Sequence, residues 1–78
     1  MLNKVEMNKI AMKYNCWINS TDSIYYVGGE NKLLGKVYWK TTTGYFHAIN
    51  INEHRYEGQK NFELLLSNFL KGENIIKS

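Results

Sequence analysis

The segment from Gly35 to Gly58 constrains the fold most strongly, because polar and apolar side chains alternate along it between short turn sequences. Lys36, Tyr38 and Lys40 occupy every second position, and a β-strand places such residues on one face of a sheet. The segment therefore predicts an antiparallel meander in which one face of a strand carries cations and an aromatic ring.

Short runs of β-branched and aromatic residues, separated by turn-forming residues, predict where the strands lie. Turn sequences run from Asn19 to Ser23 and from Gly28 to Asn31, and Thr42-Thr43-Gly44 separates the two longest runs. The sequence thus predicts three or four antiparallel strands, over residues 24–27, 33–41, 45–51 and 54–57.

Apolar residues at helical spacing predict one helix on each side of these strands. The first covers residues 2–15, and Trp17 extends its apolar stripe, so this side chain is expected in the core. The second covers residues 60–71, with Asn61 as its N-cap and Gly72 as its C-cap. Its stripe consists of Phe62, Leu65, Leu66, Phe69 and Leu70. The sequence therefore predicts an α+β fold, in a single domain of residues 1–78, with both helices on one face of the sheet.

The length of the turn at Gly44 decides which residues of the two long strands share a face. In one register the core-facing residues are Val37, Trp39, Phe46 and Ala48. With a three-residue loop and Gly44 in a left-handed bulge, they are Val37, Trp39, Ile49 and Ile51. In both registers residues 36, 38 and 40 point away from the core, whereas Trp39 points into it.

The composition favours a folded, mildly basic domain. Of 78 residues, 44% are hydrophobic and 14% are aromatic, which is too rich for a disordered chain. The formal net charge of +3 favours polyanionic partners. Cys16 is the only cysteine, so an internal disulfide is impossible, and no apolar run is long enough for export or membrane insertion. The sequence therefore predicts a cytoplasmic protein without a membrane partner.

Three groups of residues resemble a known kind of DNA-binding domain: Val37-Tyr38-Trp39-Lys40, Gly44-Tyr45-Phe46-His47-Ala48, and Arg55 with Gly58 before a helix. The pattern covers about residues 35–70 and resembles the three-stranded sheet plus helix of plant ethylene-response factors and of phage integrase arm-binding domains. Such domains lay the sheet in the major groove of DNA. This chain differs in having fewer strand arginines, a shorter final hairpin, and a helix and strand before the pattern. A less extensive likeness is to double-stranded-RNA-binding domains, whose basic run at the last helix is reduced here to Lys60.

The alternation and the resemblance together indicate a nucleic-acid-binding site on the sheet, with DNA preferred over RNA. Cations interleaved with aromatic rings suit a phosphate backbone that carries stackable bases. Phosphate contacts are expected from Lys36, Lys40, Arg55 and Lys60, and contacts to bases or sugars from Tyr38, Tyr45 or His47. The alternatives are a solvated strand face for the lysines and a half-buried structural role for His47.

The sequence predicts no enzymatic activity, catalytic residue, metal site or cofactor. No local pattern brings Cys16 close to His47 or His54 as a catalytic pair would require. The short cluster of Glu53, His54 and Glu57 supplies too few ligands for a metal centre. Gly28-Gly29 lacks the lysine and the following helix of a phosphate-binding loop.

Two other functions fit the same features. A small inhibitor or regulator of the phage or mobile-element type, in the style of anti-restriction and anti-CRISPR proteins, would bind a host protein. Tyrosines would anchor that interface: Tyr25, Tyr26, Tyr38 and Tyr45. A structural homodimer would instead join through a strand edge or through Ile75 and Ile76. The oligomeric state is accordingly either monomer or homodimer.

Overall fold

A computed structural model describes residues 3–21, 24–29 and 31–77. The elements in chain order are α1 (Lys4–Lys13), β1 (Cys16–Thr21), β2 (Ile24–Gly29), β3 (Lys32–Lys40), β4 (Tyr45–Asn50), β5 (Arg55–Gln59) and α2 (Phe62–Gly72). The strands form one antiparallel sheet in the order β1-β2-β3-β4-β5. Within these ranges the α+β fold is confirmed, and the sheet has five strands rather than three or four.

The unpredicted strand is β1, where the sequence predicted the end of the first helix and then a turn. α1 ends at Lys13, and Asn15 takes a left-handed φ of 60° that turns the chain into the strand. The prediction failed because Trp17 and Ile18 are adjacent apolar residues that fit a helical stripe as well as a strand. The predicted turn from Asn19 to Ser23 belongs to β1 as far as Thr21, and residues 22–23 lie outside the described ranges.

The second predicted turn was also placed too early. Gly28 and Gly29 belong to β2, and their partners are Trp17 and Cys16 of β1. Residue 30 lies outside the described ranges, as do residues 1 and 2 of the predicted first helix. The other predicted helices and strands are present, with ends that differ from the predicted ones by at most two residues.

The pairing of β3 with β4 follows the first of the two registers considered. Val37 pairs with Ala48 and Trp39 with Phe46 across a four-residue turn at positions 41–44. Gly44 takes a φ of 72°, and its amide donates a hydrogen bond to the Lys40 carbonyl at 2.8 Å. The turn therefore leaves an even number of residues and places alternate side chains of the two strands on common faces.

Both helices pack on the same face of the sheet. α1 lies against β1, and α2 lies against β4 and β5. Side chains from both helices join strand residues in one buried cluster, which includes Met7, Ala11, Val27, Val37, Ala48, Leu65, Leu66 and Phe69. Glu63 links the helices at the surface, because its Oε2 lies 2.7 Å from Lys13 Nζ and accepts a hydrogen bond from the Tyr14 hydroxyl at 2.9 Å. The opposite face of the sheet has no helix against it within the described residues.

The start of α2 is fixed by the predicted N-cap. The Asn61 side-chain oxygen accepts a hydrogen bond from the Leu64 amide at 2.9 Å. Gly72 is the last helical residue rather than a residue beyond the helix, and Asn74 takes the left-handed φ, of 62°, in the following turn.

Replacing Asn61 with alanine is expected to lower the free energy of unfolding by about 1 kcal/mol, because the first turn of α2 loses its acceptor. Asn68→Ala is the matched control, since Asn68 is exposed in the middle of the same helix, where alanine is the better helix former. Urea unfolding followed by circular dichroism measures both variants. An equal loss in the two variants would contradict the capping role.

Hydrogen bonds to Glu73 connect the hairpin of β4 and β5 to the end of α2. Glu73 accepts hydrogen bonds from the Tyr56 hydroxyl and from Asn50 Nδ2, the latter at 3.0 Å. Asn50 Oδ1 in turn accepts hydrogen bonds from the amides of Asn52 and His54, which close the hairpin turn. This network aligns the final strand with the helix that covers it.

The network predicts a pH dependence of stability at high pH. Burial, followed by the hydrogen bond to Glu73, raises the pKa of Tyr56 from 10.0 to about 12. Because the pKa is higher in the folded state, the protonated hydroxyl contributes stability that is complete below pH 10 and is lost as the pH rises through 12. As the pH rises between these values, the free energy of unfolding of Tyr56→Phe is expected to decrease less than that of the unaltered protein. Chemical unfolding across this pH range measures the difference, and parallel losses would contradict the prediction.

Candidate nucleic-acid interface

The sheet face turned away from the helices carries outward-pointing side chains from all five strands. Cross-strand pairing arranges them in rows, and we call the whole surface the open face. One row consists of Asn19, Tyr26, Lys36, Ile49 and Arg55. The next consists of Thr21, Ile24, Tyr38 and His47. Lys40 and Tyr45 form a third row at one end, and Trp17, Gly28 and Leu33 form a row at the other.

The structure brings the seven residues predicted for the site to this face or to its edge. Lys36, Tyr38 and Lys40 project from β3, and His47 and Tyr45 lie opposite the last two on β4. Arg55 pairs with Ile49 in the next strand. Lys60 follows β5, and its Nζ lies 5.9 Å from the centre of the Tyr45 ring. A single surface therefore holds all the predicted cations and rings.

His47 is held by packing at the centre of the face. Its ring stacks with Tyr38, with 5.6 Å between the ring centres and 17° between the planes. A Cβ built on Gly58 would lie 2.7 Å from His47 Cε1, so the imidazole lies against a position that only glycine leaves free. Thr43 Oγ1 is 3.3 Å from Nε2. These contacts are those of a half-buried sheet histidine, and its contact with nucleic acid stays a prediction.

The open face has more cations than carboxylates among the described residues. Lys36, Lys40, Arg55 and Lys60 make no ion pair there, since the one ion pair in the described chain joins Lys13 to Glu63. Glu53 lines two shallow grooves with Lys36 and Ile49, and Glu57 lies at the edge beside Lys60. Among the described residues four cations thus outnumber two carboxylates on this surface, which is therefore electropositive.

Trp17 corrects a sequence prediction, because it was expected in the core and lies on the open face with 40% of its surface exposed. Its indole ring occupies the space above Gly28, its partner in β2, where any Cβ would overlap the ring. The alternation of Cys16, Ile18 and Ser20 against Trp17, Asn19 and Thr21 was the available signal. It was masked by the apparent continuation of the helical stripe.

Three other aromatic residues of β2 and β3 are divided between the two faces of the sheet. Tyr25 is 8% exposed and belongs to the core, so it is removed from the predicted interface tyrosines, whereas its neighbour Tyr26 is half-buried on the open face. Trp39 lies on the core side as predicted, with its ring edge-on to Phe46 at 4.7 Å. The available tyrosines on the open face are therefore Tyr26, Tyr38 and Tyr45.

Groups capable of other chemistry are dispersed or buried. In the described ranges, no cluster of three or more His, Cys, Asp or Glu side chains is placed to hold a metal ion. Cys16 is buried against the core, and burial raises the pKa of its thiol. Neither helix of the described chain is long and apolar enough to cross a membrane.

Comparisons with known proteins identify no family: no protein-family model, curated protein or solved structure matches the chain. The resemblance to the sheet-plus-helix DNA-binding domains accordingly stays a prediction. The function is inferred from the geometry and charge of the open face.

Proposed function

We propose that this protein binds nucleic acid through the open face. The observation that supports the proposal is the joint position of cations and aromatic rings on a sheet surface that neither described helix covers. Lys36, Lys40 and Arg55 are free to contact phosphates, and Tyr38 and Tyr45 offer rings to bases or sugars. Cytoplasm is the proposed compartment, because the lone cysteine requires no oxidising environment.

Salt dependence tests whether phosphate contacts supply the affinity. Engagement of all four cations is expected to give a slope of about −3 to −4 for log affinity against log salt concentration. Fluorescence anisotropy with labelled DNA and RNA, single-stranded and duplex, measures this slope and the expected preference for DNA. An absence of binding at a protein concentration of ~100 μM in low salt, where non-specific binding is normally detectable, would contradict the proposal.

A second candidate function is the binding of a host protein, as an inhibitor or regulator. It is favoured by exposed apolar side chains at the Trp17 end of the open face, where Trp17 is 40% and Leu33 is 41% exposed in one cross-strand row. Tryptophan is a frequent anchor of protein interfaces. Capture from a cell lysate on the immobilised protein separates the two functions. A protein that stays bound after nuclease treatment, and is lost with Trp17→Glu, would support the second.

A further inference from the structure

We infer that the nucleic acid bound by the open face is single-stranded, with its bases stacked on the exposed rings of Trp17 and Tyr45. The inference depends on the proposed function and adds to it the class of ligand. It rests on the width of the sheet, on the exposure of rings at its two ends, and on the cations that lie between those rings.

The sheet is wider than the groove of a duplex. Neighbouring strands lie about 4.8 Å apart, so five strands span about 19 Å, whereas three strands span about 10 Å. The major groove of B-DNA is about 12 Å wide and accepts a helix or a narrow ribbon. If β3 to β5 entered the groove, β1 and β2 would meet its wall, and Trp17 and Tyr26 would lie outside it. A single strand has no groove and is able to cross the whole face.

The rings at the two ends of the face are available for stacking. The indole of Trp17 lies over Gly28, which leaves its outer side open, and 40% of the residue is exposed. Tyr45 is 38% exposed, with Lys60 Nζ near one side of its ring. Bases of a duplex are already stacked on each other, whereas unpaired bases are free to stack on protein rings. Exposed rings on a cationic surface therefore favour unpaired bases.

Cations lie along the path between these rings. Lys36 pairs with Tyr26 on one side and with Ile49 on the other, and Lys40 pairs with Tyr45. A strand that stacks on the rings would therefore pass phosphates beside lysines. This charge complementarity selects a polyanion over an uncharged peptide as the occupant.

The test compares three fluorescein-labelled probes by anisotropy at the same salt concentration: a 15-nucleotide oligo(dT), a 15-nucleotide oligo(U) and a blunt DNA hairpin with a 15-base-pair stem, whose loop is a polyethylene glycol linker and therefore contains no unpaired base. At least one single strand is expected to bind about tenfold or more tightly than the hairpin. Binding of both single strands, or of only one, supports the inference. If the hairpin binds as tightly as the single strands, the inference is overturned and the proposed function stands. If no probe binds, the proposed function fails as well.

Variants of the rings test the stacking itself. Trp17→Leu keeps an apolar cover over Gly28 but removes the ring, and it is expected to weaken oligo(dT) binding about 5- to 150-fold, the usual range for the loss of one base–aromatic stack. Trp17→Phe keeps a ring and should retain most of the affinity. The same pair at Tyr45, Tyr45→Leu and Tyr45→Phe, gives an independent test if the Trp17 variants unfold. Unchanged affinity in both leucine variants would overturn the inference.

Tryptophan fluorescence gives a second readout. Base stacking on Trp17 is expected to quench the emission of the protein when oligo(dT) is added, and the quenching should disappear in Trp17→Leu. Trp39 packs against the core on the other side of the sheet, so its emission is expected to change much less when the ligand binds. Equal quenching in the unaltered protein and in Trp17→Leu would contradict stacking at this residue.

Discussion

Replacing Lys36 and Lys40 together with glutamate is expected to weaken binding of nucleic acid by about 25- to 60-fold at 0.1 M salt, before any repulsion from the new carboxylates. The estimate follows from the release of about 0.7 counterions per phosphate contact on a single strand and about 0.9 on a duplex. Both lysines project from β3 onto the open face, and neither has an ion-pair partner in the described chain. The slope of log affinity against log salt concentration should also become less steep, by the contribution of about two phosphate contacts. Anisotropy titrations at several salt concentrations measure both effects.

The matched control replaces Lys4 and Lys9 with glutamate. These lysines are exposed on α1, which covers the other face of the sheet, and the double change alters the net charge equally. The control is expected to reduce affinity only slightly, because its charges are remote from the open face and are screened within about 10 Å at 0.1 M salt. Similar losses of affinity in the two double variants would mean that net charge governs binding. That result would contradict the proposal that the open face is the binding surface.

Replacing Phe69 with alanine is expected to lower the free energy of unfolding by about 3–5 kcal/mol, the usual result of removing a fully buried phenylalanine ring. Phe69 is 0% exposed, and its ring meets Tyr56 edge-on at 5.2 Å. A Cβ on Gly35 would lie 2.9 Å from Phe69 Cζ, so the ring also lies closely against β3. A domain of this length has a total stability of about 4–12 kcal/mol, so the substitution should remove from about a quarter to all of the free energy of unfolding.

Leu64→Ala is the control for this effect. Leu64 belongs to the same helix but is 49% exposed, and its replacement should cost less than about 1 kcal/mol. Thermal and urea unfolding measure the two variants together. If Phe69→Ala were as stable as Leu64→Ala, the packing of α2 against the sheet as described would be wrong.

The elements that were predicted well are those specified by more than one signal. In α2, the apolar stripe that ends at Leu70 predicts the helix, and the cap at Asn61 independently agrees with its start. Along β3, polar and apolar residues alternate from Lys36 to Lys40, and this alternation defines the two faces of the strand before its register is known. The position of the lysines on the open face was therefore independent of the turn at Gly44.

The parts that were missed depend on distant partners. Trp17 and Ile18 are locally compatible with a helix, and only pairing with β2 makes them strand residues on opposite faces. Gly28 has no side chain and so leaves space for the indole, and the register places Trp17 opposite it. No local sequence pattern shows that these two residues are partners. The same reason explains why Trp17 was absent from the predicted site, although it lies on the open face.

Chemical-shift mapping of the ¹⁵N-labelled protein, titrated with oligo(dT), oligo(U) and the DNA hairpin, is the most direct measurement of where nucleic acid binds. With the probe that binds most tightly, the largest changes are expected at the amides of β3 and β4 and at the indole N–H of Trp17. The amides around Lys4 and Lys9 on the outer side of α1 should stay unchanged. Changes concentrated on α1 or on the exposed side of α2, with the open face unaffected, would contradict the proposal that this face is the binding surface.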